Sequence, residues 1–161
     1  MGHEEAGWCP LFLGVFQMKV EVKTLAELSS QEFCRIVEER VCVFVVEQQC
    51  PYQEVDDQDY GAHHLLLKND RGQLVDYTRI MDKDADRATF GRVLVPKQFR
   101  GHQYGRQLVQ TTIDHTKRLY PGKKIQIQAQ GHLQKFYESF GFKPVSAVYL
   151  EDGIPHLDMV K

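Results

Sequence analysis

The sequence predicts an α+β fold built on one mixed sheet, and three observations carry that prediction. Segments with strand alternation and segments with helical spacing interleave from residue 19 to the C-terminus. Short turn-rich links separate them, with no internal repeat and no low-complexity linker. The length, 161 residues, matches one domain and leaves little room for a second.

Lys19–Leu25 (KVEVKTL) alternates as a strand. Ser29 or Ser30, with Glu32 close behind, caps a helix that runs through Arg40, with Phe33, Val37 and Val41 at helical spacing. His63–Lys68 and Gln73–Met81 read as two strands joined by Asn69-Asp70-Arg71-Gly72. A third strand, Ala88–Val95, stops at Pro96. Tyr104, Leu108, Thr112, Thr116 and Leu119 then line one side of a helix that begins near Gln103. Lys124–Gln130 alternates Ile125, Ile127 and Ala129 with three glutamines. Leu133, Phe136, Tyr137 and Phe140 fall at i, i+3, i+4 and i+7, an amphipathic helix that ends at Gly141. Val145–Leu150 and His156–Val160 close the chain around a turn at Asp152-Gly153.

Residues 1–17 precede the first patterned segment and read as an extension to a single domain over residues 18–161. The apolar run Trp8–Phe16 follows Glu4 and Glu5 instead of lysines and lacks a small-residue cleavage site, so it is not read as an address. No apolar run approaches the roughly 20 residues of a membrane span. The formal charge of −2 argues against a protein that lives on nucleic acid. Cys9, Cys34, Cys42 and Cys50 form no close pairs of the kind that bind zinc, so no metal site is assigned. They read as free thiols of a cytoplasmic protein.

Charge is segregated along the chain. Between Phe44 and Ala62 five acids (Glu47, Glu54, Asp56, Asp57, Asp59) stand without a Lys or Arg. Between Arg92 and Lys124 there are eight bases and one acid. Two solvated faces explain this, and so do a cation-attracting rim in the first half and an anion site in the second. The segment RVLVPKQFRGHQYGRQL, Arg92–Leu108, supports the anion site: a strand runs into a basic, glycine-bearing loop that opens a helix. Unsatisfied N–H groups and the positive dipole end of a helix hold phosphate oxygens. Arg100 and Arg106 neutralise charge there, and Gly101 and Gly105 clear space for close approach. Neither the Walker spacing nor the dinucleotide fingerprint is present.

The pattern Pro96-x-x-x-Arg100-Gly101-x-x-x-Gly105-x-x-Leu108 resembles the pyrophosphate loop of the GNAT superfamily of N-acetyltransferases. Arg100 and Gly105 match the ends of the usual Arg/Gln-x-x-Gly-x-Gly/Ala, while Gln103 stands where the middle glycine is common. Phe136-Tyr137-Glu138-Ser139-Phe140-Gly141-Phe142 resembles a second motif of that superfamily. Longer blocks, Val43–Gln53, Gln130–Tyr137 and Glu151–His156, are similar to the ElaA family of bacterial GNAT proteins.

That resemblance implies a mostly antiparallel sheet whose middle strands splay, flanked by helices, with acetyl-CoA as donor. It implies pantetheine contacts at Val93, Leu94 and Val95, and pyrophosphate contacts at Arg100, Gly101, His102, Gln103, Tyr104, Gly105 and Arg106. Gln130 stands where many relatives carry an asparagine that touches the pantetheine arm, and Phe136 packs beside the cofactor. Tyr137 is the general acid the resemblance implies: a phenol with a pKa of about 10 protonates the departing thiolate. In the absence of the motif, a core-facing position on its helix explains Tyr137 better. The expected base is Glu47, with Glu54–Asp59, His64 and His156 behind it. The acceptor is a small-molecule or peptide amine, and a homodimer is compatible with the family. The rival reading is a non-catalytic acyl-CoA-binding or interaction module.

Overall fold

Strand pairing organises the molecule. The computed structural model describes residues 18–161, so the expected extension and Cys9 lie outside the described residues. Eight strands and four helices follow in the order β1 (Lys19–Thr24), α1 (Ser30–Arg40), α2 (Gln58–Gly61), β2 (His63–Lys68), β3 (Leu74–Asp82), β4 (Arg87–Leu94), α3 (Tyr104–Leu119), β5 (Lys124–Gln130), α4 (Gln134–Glu138), β6 (Lys143–Pro144), β7 (Tyr149–Glu151) and β8 (Ile154–Val160). The sheet runs β1-β2-β3-β4-β5-β8-β6, with β7 also on β8. Every pairing is antiparallel except β4 with β5. This is the expected mixed, mostly antiparallel sheet.

Local chemistry explains the elements. The Ser29 hydroxyl accepts from Glu32 N at 3.1 Å and Ser29 N donates to the Glu32 carboxylate at 2.9 Å, a capping box that starts α1. Thr112 and Thr116 sit on the buried face of α3 because their hydroxyls donate back to the Leu108 and Thr112 carbonyls, both at 2.7 Å. Helices cover both faces of the sheet. Leu65, Ile80 and Phe90 pack with Leu108, Ile113, Ile127 and Met159 on the α3 side. Ile36, Val43, Leu66, Tyr77 and Leu94 form a second cluster on the α1 side. Among the described residues no helix is long and apolar enough to cross a membrane.

Three segments differ from expectation. Beyond Arg40 the chain keeps winding as a π-helical segment, Val41–Glu47, whose β-branched run carries no helical period. The acidic stretch, assigned no element in the sequence, contains α2. Val145–Leu150 is not one strand: the chain pairs at Lys143–Pro144 and again at Tyr149–Glu151, where the Asp152-Gly153 turn has positive φ at both residues.

Two irregularities set up the site. β4 and β5 are in register only at Arg87↔Lys124 and Ala88↔Ile125, after which they diverge. The β5-facing edge of β4 is therefore left without a strand partner from Thr89 onward. On its other edge β4 pairs Gly91 with Arg79 and Leu94 with Tyr77, so Arg92 and Val93 together face Thr78. Arg92 adopts φ 54° in this bulge, and the Thr78 hydroxyl donates to Gly91 O at 2.9 Å.

Candidate active site

The loop between β4 and α3 forms one wall of a cleft of about 230 Å³ lined by Val95, Phe99, Arg100, Gly101, Gln103, Tyr104, Gly105, Arg106 and Phe136. Its backbone is built for an anion. Among the described residues the N–H groups from Gly101 to Gly105 donate to no protein acceptor, while those of Phe99, Arg100, Arg106 and Gln107 are paired within the loop or the first turn. A run of free N–H groups at the head of a 16-residue helix is an oxyanion cradle. Arg100 and Arg106 stand exposed beside it. The Arg106 guanidinium lies 4.9 Å from the Phe140 ring and donates to the Ser139 hydroxyl at 3.1 Å, so it spans from α3 to α4.

Two positions explain why this loop favours glycine. Gly101 has φ +86°, and Gln103, which caps α3, has φ 59°. Left-handed backbone costs a side-chain-bearing residue about 1–2 kcal/mol. Gln103→Gly should therefore raise stability by about 0.5–1 kcal/mol after the entropy of the added glycine. Thermal melting checks this, and a lower melting temperature would assign the Gln103 side chain a structural contact. At Gly105, in contrast, an added Cβ would meet only Val95 Cγ2, at 3.8 Å. The protein itself does not require glycine there, so any such requirement belongs to what the cleft holds.

The other expected residues fall into place around the splay. Val93 packs against the α3-side cluster and Leu94 is buried in the α1-side one, which leaves their main chain as the accessible part. Val95 O accepts from Arg100 Nε at 2.9 Å. Gln130 ends β5 and its side chain donates to Gln48 Oε1 at 3.3 Å. His102 is the exception: it turns outward, stacks on Tyr104 at 5.3 Å and does not line the cleft.

Tyr137 is buried, with ring contacts to Phe136 at 5.3 Å and Phe142 at 6.0 Å. The core-facing position is observed, and burial pushes the phenol up to about 12, so it keeps its proton at neutral pH. Among the described residues nothing hydrogen-bonds its hydroxyl.

Glu47 ends the π-helical segment, and its carboxylate lies 2.9 Å from Arg100 Nη2. Glu54, Asp56 and Asp59 form neither a cation-attracting rim nor a solvated face. Glu54 and Asp59 are buried and grip the fully buried Arg40, with closest approaches of 2.7 Å each. Arg79 bonds Asp56 at 2.7 Å and Asp59 at 2.9 Å, and Arg92 reaches Glu54 at 2.7 Å. Burial pushes the Asp59 carboxyl up, but bonds from Arg40 and Arg79 outweigh it and hold the group at about 2. Three arginines thus balance three acids, and Asp57 alone of that run stays exposed. Local sequence hides this because the cations come from residues 40, 79 and 92. Burial lowers the pKa of His64, whose ring nitrogens meet the Tyr77 hydroxyl at 2.7 Å and Asp59 O at 3.2 Å; it is closed off from any acceptor.

Known proteins resemble this chain in sequence and fold. The family model described as an acetyltransferase (GNAT) domain matches residues 24–161. ElaA of Escherichia coli K12 is 44% identical over 141 residues, covering 84% of this chain and 91% of ElaA. The crystal structure of Escherichia coli ElaA superposes with a TM-score of 0.82 at 39% identity, over 90% of this chain and 99% of that one. An acyl-CoA N-acyltransferase from Pseudomonas aeruginosa superposes with a TM-score of 0.84 at 38% identity and the same coverage. With its splayed strands, its N–H cradle and these relatives, the chain belongs to the GNAT acetyltransferase family, among the relatives of ElaA.

Proposed function

We propose that the protein transfers an acetyl group from acetyl-CoA to the primary amine of a small molecule or peptide, by direct attack while both are bound. The observation that carries this reading is the run of free N–H groups at residues 101–105, continuous with the unpaired edge of β4. A CoA pyrophosphate fits that cradle between Arg100 and Arg106, and the pantetheine arm follows β4 past Val95 toward the bulge at Arg92. Phe136 packs against the arm at the wall of the cleft, and Gln130 meets it from β5. Tyr137 supplies the proton to the leaving thiolate, a role supported by its buried, protonated phenol. Glu47, joined to Arg100, holds that guanidinium at the mouth of the cleft. The acids of residues 54–59 are internally neutralised, so they select no cationic acceptor. The free thiols of Cys34, Cys42 and Cys50 support a reducing compartment such as the cytoplasm.

Millimolar CoA should raise the melting temperature, since a ligand at 100 times its Kd adds about 2.7 kcal/mol. Thiol release from acetyl-CoA over an amine panel then separates an enzyme from a binding module. Tyr137→Phe should keep the CoA shift and lose turnover on the order of 10²-fold. A wild type that CoA does not stabilise would overturn the reading.

A further inference from the structure

We infer that His156 is the general base that takes the proton from the incoming ammonium group. The inference rests on the acetyl-transfer reading, and the geometry that points to it is independent of the cofactor cradle.

His156 lies on β8 directly opposite Gln130 of β5, within an unbroken antiparallel register. Directly paired residues of two strands share a face. The imidazole therefore projects on the same side as the Gln130 side chain, which reaches Gln48 at the end of the π-helical segment. That face, away from α3 and α4, holds Gln126, Gln128 and Gln130 of β5 and Asp158 of β8. A second nucleophile would approach the splay from here, opposite the buried Tyr137. A base and an acid on opposite sides of a reacting centre are what direct attack requires.

The tautomer of the neutral ring follows from its one polar contact. His156 Nδ1 lies 2.8 Å from Ile154 O. A carbonyl oxygen only accepts, so Nδ1 carries a hydrogen and the neutral ring has its lone pair on Nε2. Among the described residues no protein atom bonds Nε2. Tyr149 stacks on the ring at 6.4 Å and 24° and fixes its plane, while its hydroxyl donates to Asp158 at 2.8 Å and accepts from Gln128 at 3.1 Å. The ionisable groups on this face are Tyr149 and Glu151 of β7, Asp158 of β8 and Arg87 of β4, whose guanidinium donates to the Gln126 side chain. Tyr149, with its phenol pushed up to about 12 by burial and then by Asp158, stays neutral. Glu47, the carboxylate the family blocks bring forward, is held by Arg100 on the cofactor side.

The chemistry balances. The ammonium gives one proton to Nε2, and the freed nitrogen lone pair forms the C–N bond. The C–S bond breaks toward sulfur, which takes the Tyr137 proton. The excess proton on the new amide nitrogen returns to the Tyr137 phenolate, and the imidazolium releases its proton to solvent.

Kinetics with the best alkylamine of the panel and with hydroxylamine, whose nitrogen is already uncharged at pH 7, test the assignment. His156→Gln should lower kcat/KM for the alkylamine on the order of 10²-fold near neutral pH and move the acid limb of its pH profile up toward the amine's own ionisation. Hydroxylamine should lose less than about tenfold, and added imidazole should restore part of the alkylamine rate in His156→Ala. The melting shift with CoA should be unchanged in both variants. Equal losses for both nucleophiles with the acid limb intact would overturn the assignment. So would ¹⁵N NMR of the wild type showing the neutral ring protonated at Nε2, a measurement that needs no turnover. A wild type without the CoA shift would instead overturn the cofactor reading and leave the NMR result to decide His156.

Discussion

Arg40→Met is expected to destabilise the protein by about 3–5 kcal/mol, the cost of leaving buried carboxylates without their cation. Arg40 is fully buried at the end of α1, and its guanidinium bonds both carboxylates and the Glu54 carbonyl. Methionine fills a similar volume but returns none of those bonds. Arg79 and Arg92 still neutralise part of the charge, which sets the cost below that of two orphaned ions. For a domain of this size, each kcal/mol moves the melting temperature by roughly 2–4 °C. The triple variant Arg40→Met, Glu54→Gln, Asp59→Asn removes the stranded charges and should recover part of the loss. A single variant that melts with the wild type would mean the cluster is open to water.

A second large effect is expected from Asp76→Asn, as a function of pH. Asp76 is fully buried on β3, and neither carboxyl oxygen has a hydrogen-bond partner. Strand alternation places it on the α3 face with Thr78 and Ile80. Burial alone pushes its carboxyl from 3.8 up to about 8. Between those values the folded protein holds a proton that the unfolded chain has released. Stability therefore falls as pH rises through this window, by about 1.4 kcal/mol per unit at most, and levels off above the folded value. The opposite sign holds for Glu21, lowered to about 2 by bonds from Lys19 and Lys68, whose contribution is lost only in acid. Asparagine has no proton to release, so the variant should gain on the wild type steadily from pH 5 to pH 8 in denaturant melts. Parallel curves would show that Asp76 does not titrate with folding.

The repeating pattern of side chains made the elements legible, and two spaced motifs made the cofactor loop legible. Ser29 with Glu32 announced a helix start because a capping box is local. The left-handed turn at Gly101 and the buried face of Tyr137 were readable for the same reason: each depends on near neighbours in the chain. The acidic stretch misled because its partners are distant, and absence of Lys or Arg within a segment says nothing about cations folded against it. Arg92 gave no warning of its bulge, since positive φ at a non-glycine residue leaves no mark in the sequence. His156 stood in the sequence only as a reserve base behind Glu47 and as the end of the Glu151–His156 block. Its significance comes from register with Gln130 and from a carbonyl two residues back, and neither is a property of composition.

The divergence of β4 from β5 also bears on how the protein opens. Backbone hydrogen bonding binds β1 to β4 into one ladder and β5 to β8 into another, and the two ladders meet at only two residue pairs. Across the seam, cohesion comes from the apolar layer in which Leu65 and Phe90 pack with Ile127 and Met159. Side-chain packing without a shared ladder makes each half a natural cooperative unit, able to part from the other before either unravels. A molecule lodged along the open edge of β4 and touching Gln130 would fasten the two units together. Its binding energy would then appear as cooperativity, with amides on both sides of the seam exchanging as one body instead of two.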